Sequence, residues 1–258
     1  ILGLGAFTSV VGDGGLTIAR RLDIPVTTGD SYTVAAAVEA VKRAARELNI
    51  TLSRATGAVV GATGAIGSVC AQLLAPDVAR IILLGRRIKA LNEVKYLVEQ
   101  TGQTETRVSA DMSDLQQADV VITVSSAVEA IIQPRHLKPG AVICDVARPR
   151  DVSTNVARQR PDVLVIEGGM VKVPGPVNFN FNFGFPPQMA FACMAETMIL
   201  AMEQRYQSFT LGKELSLPKV QEISRLAQKH GFELGGFRSF EKAITPQDIA
   251  RVKSNLTR

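Results

Sequence analysis

Three groups of residues have types and spacings suited to chemistry. The first is "GATGAIG", residues 61–67. Gly61 would permit a tight turn, Gly64 would let backbone approach a pyrophosphate, and Gly67 would let a helix pack closely on a strand. Thr63, Ala65 and Ile66 belong to the same turn, and the pattern gains meaning only if a strand precedes it and a helix follows. About 20 residues further on, where a site for the unphosphorylated cofactor carries Asp or Glu, the sequence reads "LLGRR" and places Arg86 and Arg87. A guanidinium suits a 2′-phosphate through paired charge-assisted hydrogen bonds, so the expected cofactor is NADPH, with a solvated basic loop as the plain alternative. The second group is Ser125 and Ser126 in "VSSAVEAII", which leave a strand end and are placed to line the ribose–nicotinamide half, although serines in such a turn need no ligand. The third is Cys193 in "GFPPQMAFACMAETM". On residue statistics alone it reads as a small core hydrophobe.

The elements that would position these residues follow from hydrophobic patterning. Six Val- and Ile-rich segments, "GAVVG" from 57, "RIILL" from 80, "TRVSA" from 106, "DVVITV" from 119, "AVICDV" from 141 and "DVLVIEG" from 162, alternate with helical stretches. One of these stretches carries Leu91, Val94 and either Leu97 or Val98 at helical spacing. Continuous apolar strands between helices imply an α/β fold with a doubly wound parallel sheet of Rossmann type. Before it, Asp30 or Ser31 caps a helix with Val34, Val38, Val41, Ala45 and Leu48 on its apolar face, ending near Asn49. After it, Pro186 and Pro187 are expected to open a helix to about Tyr206, Pro218 a second ending at His230 and Gly231, and Thr245 with Pro246 a third. A helix begun near Pro187 puts Cys193 in its second turn, with little help from the helix dipole. These readings assign residues 53–175 to a dinucleotide-binding domain, 1–52 to the N-terminal part of a substrate lobe, and 176–258 to a helical segment completing that lobe, with a ligand cleft between.

The whole chain sets limits on function. Its 258 residues, 46% hydrophobic and 21% charged, suffice for a well-packed core. No run of strongly apolar residues is long enough to span a membrane. Cys70, Cys144 and Cys193 are widely spaced, with no CxxC pair and no histidine at ligand spacing, so neither a disulfide framework nor a metal site is expected and the compartment reads as the cytoplasm. The opening "ILGLGAF" lacks an initiator Met and a charged n-region, and we expect a fragment or a trimmed product. The net charge of +5 lies in short clusters almost without interleaved aromatics, which argues against nucleic acid and leaves an acidic partner or a phosphorylated ligand. A homo-oligomer is compatible with the composition.

The segments "LGAFTSVVGDGGL", "VTTGDSYTVAAAVEA", "VGATGAIGSVCAQLL", "VIEGGMVKVPG", "PPQMAFACMAETMIL" and "QKHGFELGGF" stand in the order and approximate spacing of one known family. From about residue 3 to 234 the chain resembles the cyanobacterial-type long-chain acyl-carrier-protein reductases. The resemblance implies NADPH-dependent reduction of a fatty acyl thioester to a fatty aldehyde through a cysteine-bound acyl group, with acyl carrier protein or acyl-CoA as donor. It places the catalytic Cys on Cys193, the glycine turn on Gly61, Gly64 and Gly67, and the cofactor-phosphate Arg on Arg86. Backbone N–H groups or the hydroxyls of Ser9, Thr28 or Ser31 would serve the oxyanion, with no choice among them. His230, before Gly231 at a helix end, reads as a C-cap. Ala65, where the family often has an acidic residue, and the tail after Phe237 depart from the pattern. The competing expectations are a shikimate- or amino-acid-type NADP-dependent dehydrogenase, which needs no nucleophile, and a cofactor-binding regulatory protein in which Cys193 is only core.

Overall fold

The computed structural model describes residues 1–5, 12–181, 184–213 and 215–256. Its elements begin with β1 (Leu2–Gly3), α1 (Leu16–Arg21), β2 (Val26–Thr27), α2 (Asp30–Glu47), β3 (Thr56–Val60), α3 (Ala65–Leu74), β4 (Arg80–Leu84), α4 (Ile88–Glu99), β5 (Glu105–Ser109), β6 (Val120–Thr123), β7 (Val142–Asp145), α5 (Thr154–Gln159) and β8 (Leu164–Glu167). They continue with β9 (Met170–Lys172), β10 (Met189–Phe191), α6 (Ala192–Met202), α7 (Leu217–Lys229), β11 (Glu233–Leu234), β12 (Arg238–Ser239), β13 (Lys242–Ala243) and α8 (Pro246–Leu256). Two compact units form: Ile1–Ala36 with Gly169–Gly236, and Ala37–Gly168 with the chain from Phe237 onward.

The second unit holds the six expected strands as one parallel sheet in the order β5-β4-β3-β6-β7-β8. Every residue of β3, β6 and β7 is buried, which is why these strands read as unbroken apolar runs. The chain winds outward from β3 to β5 and then returns to lay β6 beside β3, so the winding reverses between them, at the C-terminal edge where doubly wound sheets take ligands. The fold is Rossmann-like.

Alternate residues Ala58, Val60, Ile82, Leu84, Val121, Ile143 and Val165 form one core with Leu115, Ile132, Leu137, Val152 and Val156. Each buried aliphatic side chain contributes about 1.5–3 kcal/mol. Helix α4 buries Leu91, Val94 and Val98 and leaves Leu97 44% exposed, so Val98 is the inward residue of that pair. Phe240 packs on the same core, and Arg150 Nη2 bonds both Glu167 and Glu241 at 3.0 Å. These contacts gather residues from 237 onward into the sheet unit, where the sequence reading grouped them with a C-terminal segment from 176. Residues 37–52 likewise fall in the sheet unit, the boundary lying within α2.

In the first unit β1 pairs in parallel with β2, and β10-β9-β11 form an antiparallel sheet. The helix expected from Pro187 is shorter than the prolines suggested, covering Ala192–Met202 only. Gln188 has a left-handed φ of 64°, which no helix accommodates, and Met189–Phe191 pair with Met170–Lys172 as a strand. Helix α7 has Pro218 in its first turn and ends at His230, followed by Gly231 with φ 81°, as its capping residues indicate. In the sheet unit, α8 is opened by reciprocal bonds between Thr245 and Asp248. Among the described residues no helix is long and apolar enough to cross a membrane.

Asp145 closes β7, 1% exposed, and its carboxylate accepts hydrogen bonds from Ala147 N and Val152 N, both at 3.0 Å. Burial pushes its pKa up to about 6, against the Val152 bond and with the Asp151 charge adding to the rise. Because the folded value exceeds the unfolded one, this contribution to stability is full below about pH 4 and lost as pH rises through about 6. Asp145→Asn should remove that component. Between pH 4 and 7 the unmodified protein should lose about 2–3 kcal/mol of unfolding free energy relative to the variant in urea titrations. Parallel pH profiles for the two proteins would contradict the assignment.

Candidate active site

Two sets of functional side chains take shape, one in each unit. In the sheet unit, Gly61 follows β3 with φ 79°. A Cβ there would lie 2.6 Å from Val124 O and 2.9 Å from Ser125 Cα, so only glycine lets the turn after β3 pass the turn after β6. A Cβ on Gly67 would run into the backbone of Gly61 and Ala62, which explains the close seating of α3 on the turn. Gly64 is different: it is exposed, is the N-cap of α3, and an added Cβ would meet only Gly61 O at 3.3 Å. Open space thus lies before the N-terminus of a 10-residue helix whose first turn carries Ala65, Ile66 and Gly67. Those residues fit a cofactor pyrophosphate, the half of the ligand that needs backbone donors and no side chain.

The neighbouring turn lies alongside. Gly61 N and Ala62 N both donate to Leu84 O, and the Thr63 methyl would lie 3.7 Å from a Cβ on Gly85. Arg86 and Arg87 follow, both exposed, and Arg87 is the N-cap of α4. Ser125 and Ser126 sit after β6, on the other side of Gly61. Ser126 is exposed, whereas the Ser125 hydroxyl donates to Asp151 Oδ1 at 2.5 Å and accepts from Ala127 N at 3.1 Å. Ser125 is therefore engaged within the protein.

Burial reduces the chain's three cysteines to one candidate nucleophile, and that one lies in the other unit. Cys70 is fully buried and its thiol is pushed up to about 12, and burial lifts Cys144 well above the ordinary thiol value. Cys193 is half-buried. With Phe191 as N-cap, it stands second in α6, in the first turn and not the second, where the helix dipole stabilises negative charge. The turn that opens α2 packs directly on it. Gly29, with φ 81°, has no Cβ, and one placed there would overlap the Cys193 backbone and Cβ. Gly5 faces the sulfur, with a Cβ position 4.0 Å from Sγ.

Glu196, three residues after Cys193, holds this contact. It is 0% exposed; Oε1 accepts from Thr27 Oγ1 at 2.5 Å and Thr210 Oγ1 at 2.8 Å, and Oε2 from Tyr32 N at 2.8 Å in the first turn of α2. Burial raises its pKa against those bonds. Asp30 is pushed up to about 6, first by burial and further by the Glu196 charge, with the Thr28 hydroxyl opposing. Thr28 Oγ1 itself is buried without a hydrogen bond of normal geometry. Ser31 Oγ is buried against Thr210 Oγ1 at 2.7 Å, which commits its hydroxyl, and Ser9 lies outside the described residues. Of the two hydroxyls weighed from sequence that lie in the described residues, Ser31 is committed to Thr210, and Thr28 bears on the Asp30 carboxylate. His230 pairs with Glu203 at 2.7 Å, in keeping with its place at the end of α7. Among the described residues no group of three or more His, Cys, Asp or Glu side chains could hold a metal ion. Asp30 entered the sequence reading only as a cap and Glu196 only as a neighbour on the helix face. The legible signal was one carboxylate inside the apolar stretch "ACMAETMIL".

The family model for shikimate/quinate 5-dehydrogenase matches residues 42–167, which covers the sheet and ends before Cys193. The chain is 33% identical to the aminotransferase PigE of Serratia sp. over 257 aligned residues, 98% of this chain and 30% of that protein. It therefore spans less than a third of that relative's length. It is 29% identical over 248 residues to the long-chain acyl-(acyl-carrier-protein) reductase of Synechococcus elongatus, 90% of this chain and 71% of that one. Among solved structures, glutamyl-tRNA reductase from Methanopyrus kandleri aligns with a TM-score of 0.41 and 19% identity, over 87% of this chain and 43% of that one. The glycine turn and the sequence likenesses together support a nicotinamide-dependent oxidoreductase of Rossmann type.

Gly29→Ala tests the contact on Cys193. A side chain there meets both a left-handed φ and the Cys193 backbone, so the variant should lose about 2–4 kcal/mol of stability. Gly102→Ala, with no heavy atom within 4 Å of the new Cβ, should stay within about 0.5 kcal/mol in the same thermal melts.

Proposed function

We propose that the chain is an NADPH-dependent reductase that accepts a fatty acyl group from a thioester and releases the fatty aldehyde. The observation that carries this reading is Cys193, a half-buried thiol in the first turn of α6 with the N-terminal turn of α2 packed on it. A nucleophile belongs in such a place, because both helix starts favour the anionic sulfur and the developing oxyanion. The Cys193 thiolate attacks the acyl carbonyl, its new carbon–sulfur bond replaces the one to the carrier, and the carrier leaves as a thiolate that takes up the proton Cys193 gave up. The cofactor, when bound, supplies a hydride to that carbonyl. The tetrahedral oxyanion left on Cys193 is served by the first-turn backbone and by Thr28, and collapses with expulsion of the Cys193 sulfur to give the aldehyde. Gly61, Thr63, Gly64, Ala65, Ile66 and Gly67 would hold the pyrophosphate, Arg86 and Arg87 the 2′-phosphate, and Ser126 the ribose–nicotinamide half.

The acyl donor is acyl carrier protein or acyl-CoA, and the net charge of +5 favours an acidic carrier. The likeness to the cyanobacterial reductase over 90% of this chain adds to that reading. A second reading, a shikimate- or amino-acid-type dehydrogenase, is favoured by the family match over residues 42–167 and needs no thiol. The two part over Cys193.

Incubation with an acyl thioester and no NADPH should add one acyl mass that maps to residue 193, and Cys193→Ala should abolish aldehyde formation while leaving NADPH affinity intact. Near-normal turnover by the variant, or an acyl mass on Cys70 or Cys144, removes the mechanism. Oxidation of a hydroxy or amino acid by both proteins would select the second reading. For the cofactor, Arg86→Asp should weaken NADPH by about 1–3 kcal/mol and NADH far less, as measured by titration calorimetry. Equal weakening would remove the phosphate role.

A further inference from the structure

We propose that Asp151 is a positioning residue for the nicotinamide half of the cofactor site, acting through Ser125 on the turn after β6. The inference rests on the reading of the Gly61 turn and its neighbours as a cofactor site. Asp151 is fully buried and lies beyond β7, yet three hydrogen bonds to its carboxylate come from the end of β6 and the turn that follows. Thr123 Oγ1 donates to Oδ2 at 2.5 Å, Ser125 N to Oδ2 at 2.8 Å, and Ser125 Oγ to Oδ1 at 2.5 Å. The backbone of Asp151 is held in turn, its carbonyl accepting from Ile132 N at 2.9 Å, and Asp145 fixes the segment around it through Ala147 N and Val152 N.

All three donors are neutral, so the carboxylate gains no ion pair from them. What it achieves is placement: two oxygens receive three donors from 123–125, which leaves that backbone one geometry. Ser125 Oγ passes the constraint on by accepting from Ala127 N, and Val124 O with Ser125 Cα fill the space beside Gly61. The exposed Ser126 is thereby set at the point where the winding of the sheet reverses, beside the pyrophosphate turn. Arg86 lies on the far side of Gly61, after β4, and owes nothing to Asp151.

A positioning role of this kind has a half-specific signature. Calorimetric titration with NADPH and with 2′,5′-ADP, which carries only the adenosine and its 2′-phosphate, separates the two halves of the site. Asp151→Asn should weaken NADPH about 10-fold or more, because one oxygen is replaced by a donor facing a donor, and leave 2′,5′-ADP within about 2-fold. Ser125→Ala, which keeps the buried charge and removes only its Oγ contact, should move the same way by a smaller factor and remains informative if Asp151→Asn does not fold. Arg86→Asp should weaken both ligands. Equal loss of NADPH and 2′,5′-ADP in Asp151→Asn would show a structural role only and overturn the proposal, as would undiminished NADPH binding in both variants. If the unmodified protein binds neither ligand, the cofactor reading itself falls, an outcome distinct from failure of Asp151.

Discussion

One buried carboxylate organises the unit that holds Cys193. Glu196 has no exposed surface and satisfies donors from β2, from the first turn of α2 just after it, and from Thr210, far away in sequence. Desolvating such a group is unfavourable, and the cost is offset only if every lone pair finds a donor. The three stretches are therefore fixed together or not at all. Because Glu196 and Cys193 share one helix, the same arrangement sets the Gly29 turn against the thiol. The tight contact and the raised Asp30 both follow from that arrangement.

The sheet unit is organised by a comparable restriction in another form. Where the winding reverses between β3 and β6, the turns after both strands compete for the same volume, and the missing side chain of Gly61 resolves the competition. Buried Asp151, past β7, then fixes the turn after β6, and Asp145 at the end of β7 holds the segment that carries it. Backbone shape at the ligand edge is thus controlled by residues a strand away from it.

Much of this architecture was legible in sequence where local physics decides. The six strands are continuous apolar runs because both faces are covered, and α2, α7 and α8 begin or end at residues whose capping chemistry is local. The error at Pro187 has the same root seen from the other side. Two prolines are a valid start signal, but Met189–Phe191 follow their pairing with Met170–Lys172, a partner about which local patterning is silent. The glycine turn was readable because it requires particular backbone freedom at fixed spacing. Glu196 and Asp151 were not, since a carboxylate's burial depends on which distant donors arrive.

The antiparallel pairing of β9 with β10 has a bearing on how such a chain can diversify. The ladder joins Phe191 to Met170, and Ala192 N donates to Gly169 O at the next step, so the first residue of α6 is fixed by the sheet and not by the long connection between the strands. Length and composition of the connection between Gly175 and Pro186 are thereby uncoupled from the location of the thiol. Residues there can be inserted, deleted or exchanged between related chains without altering the helical phase of Cys193, while a single insertion within 189–192 would turn it to another face of the helix. Recombination and loop grafting have a natural boundary here.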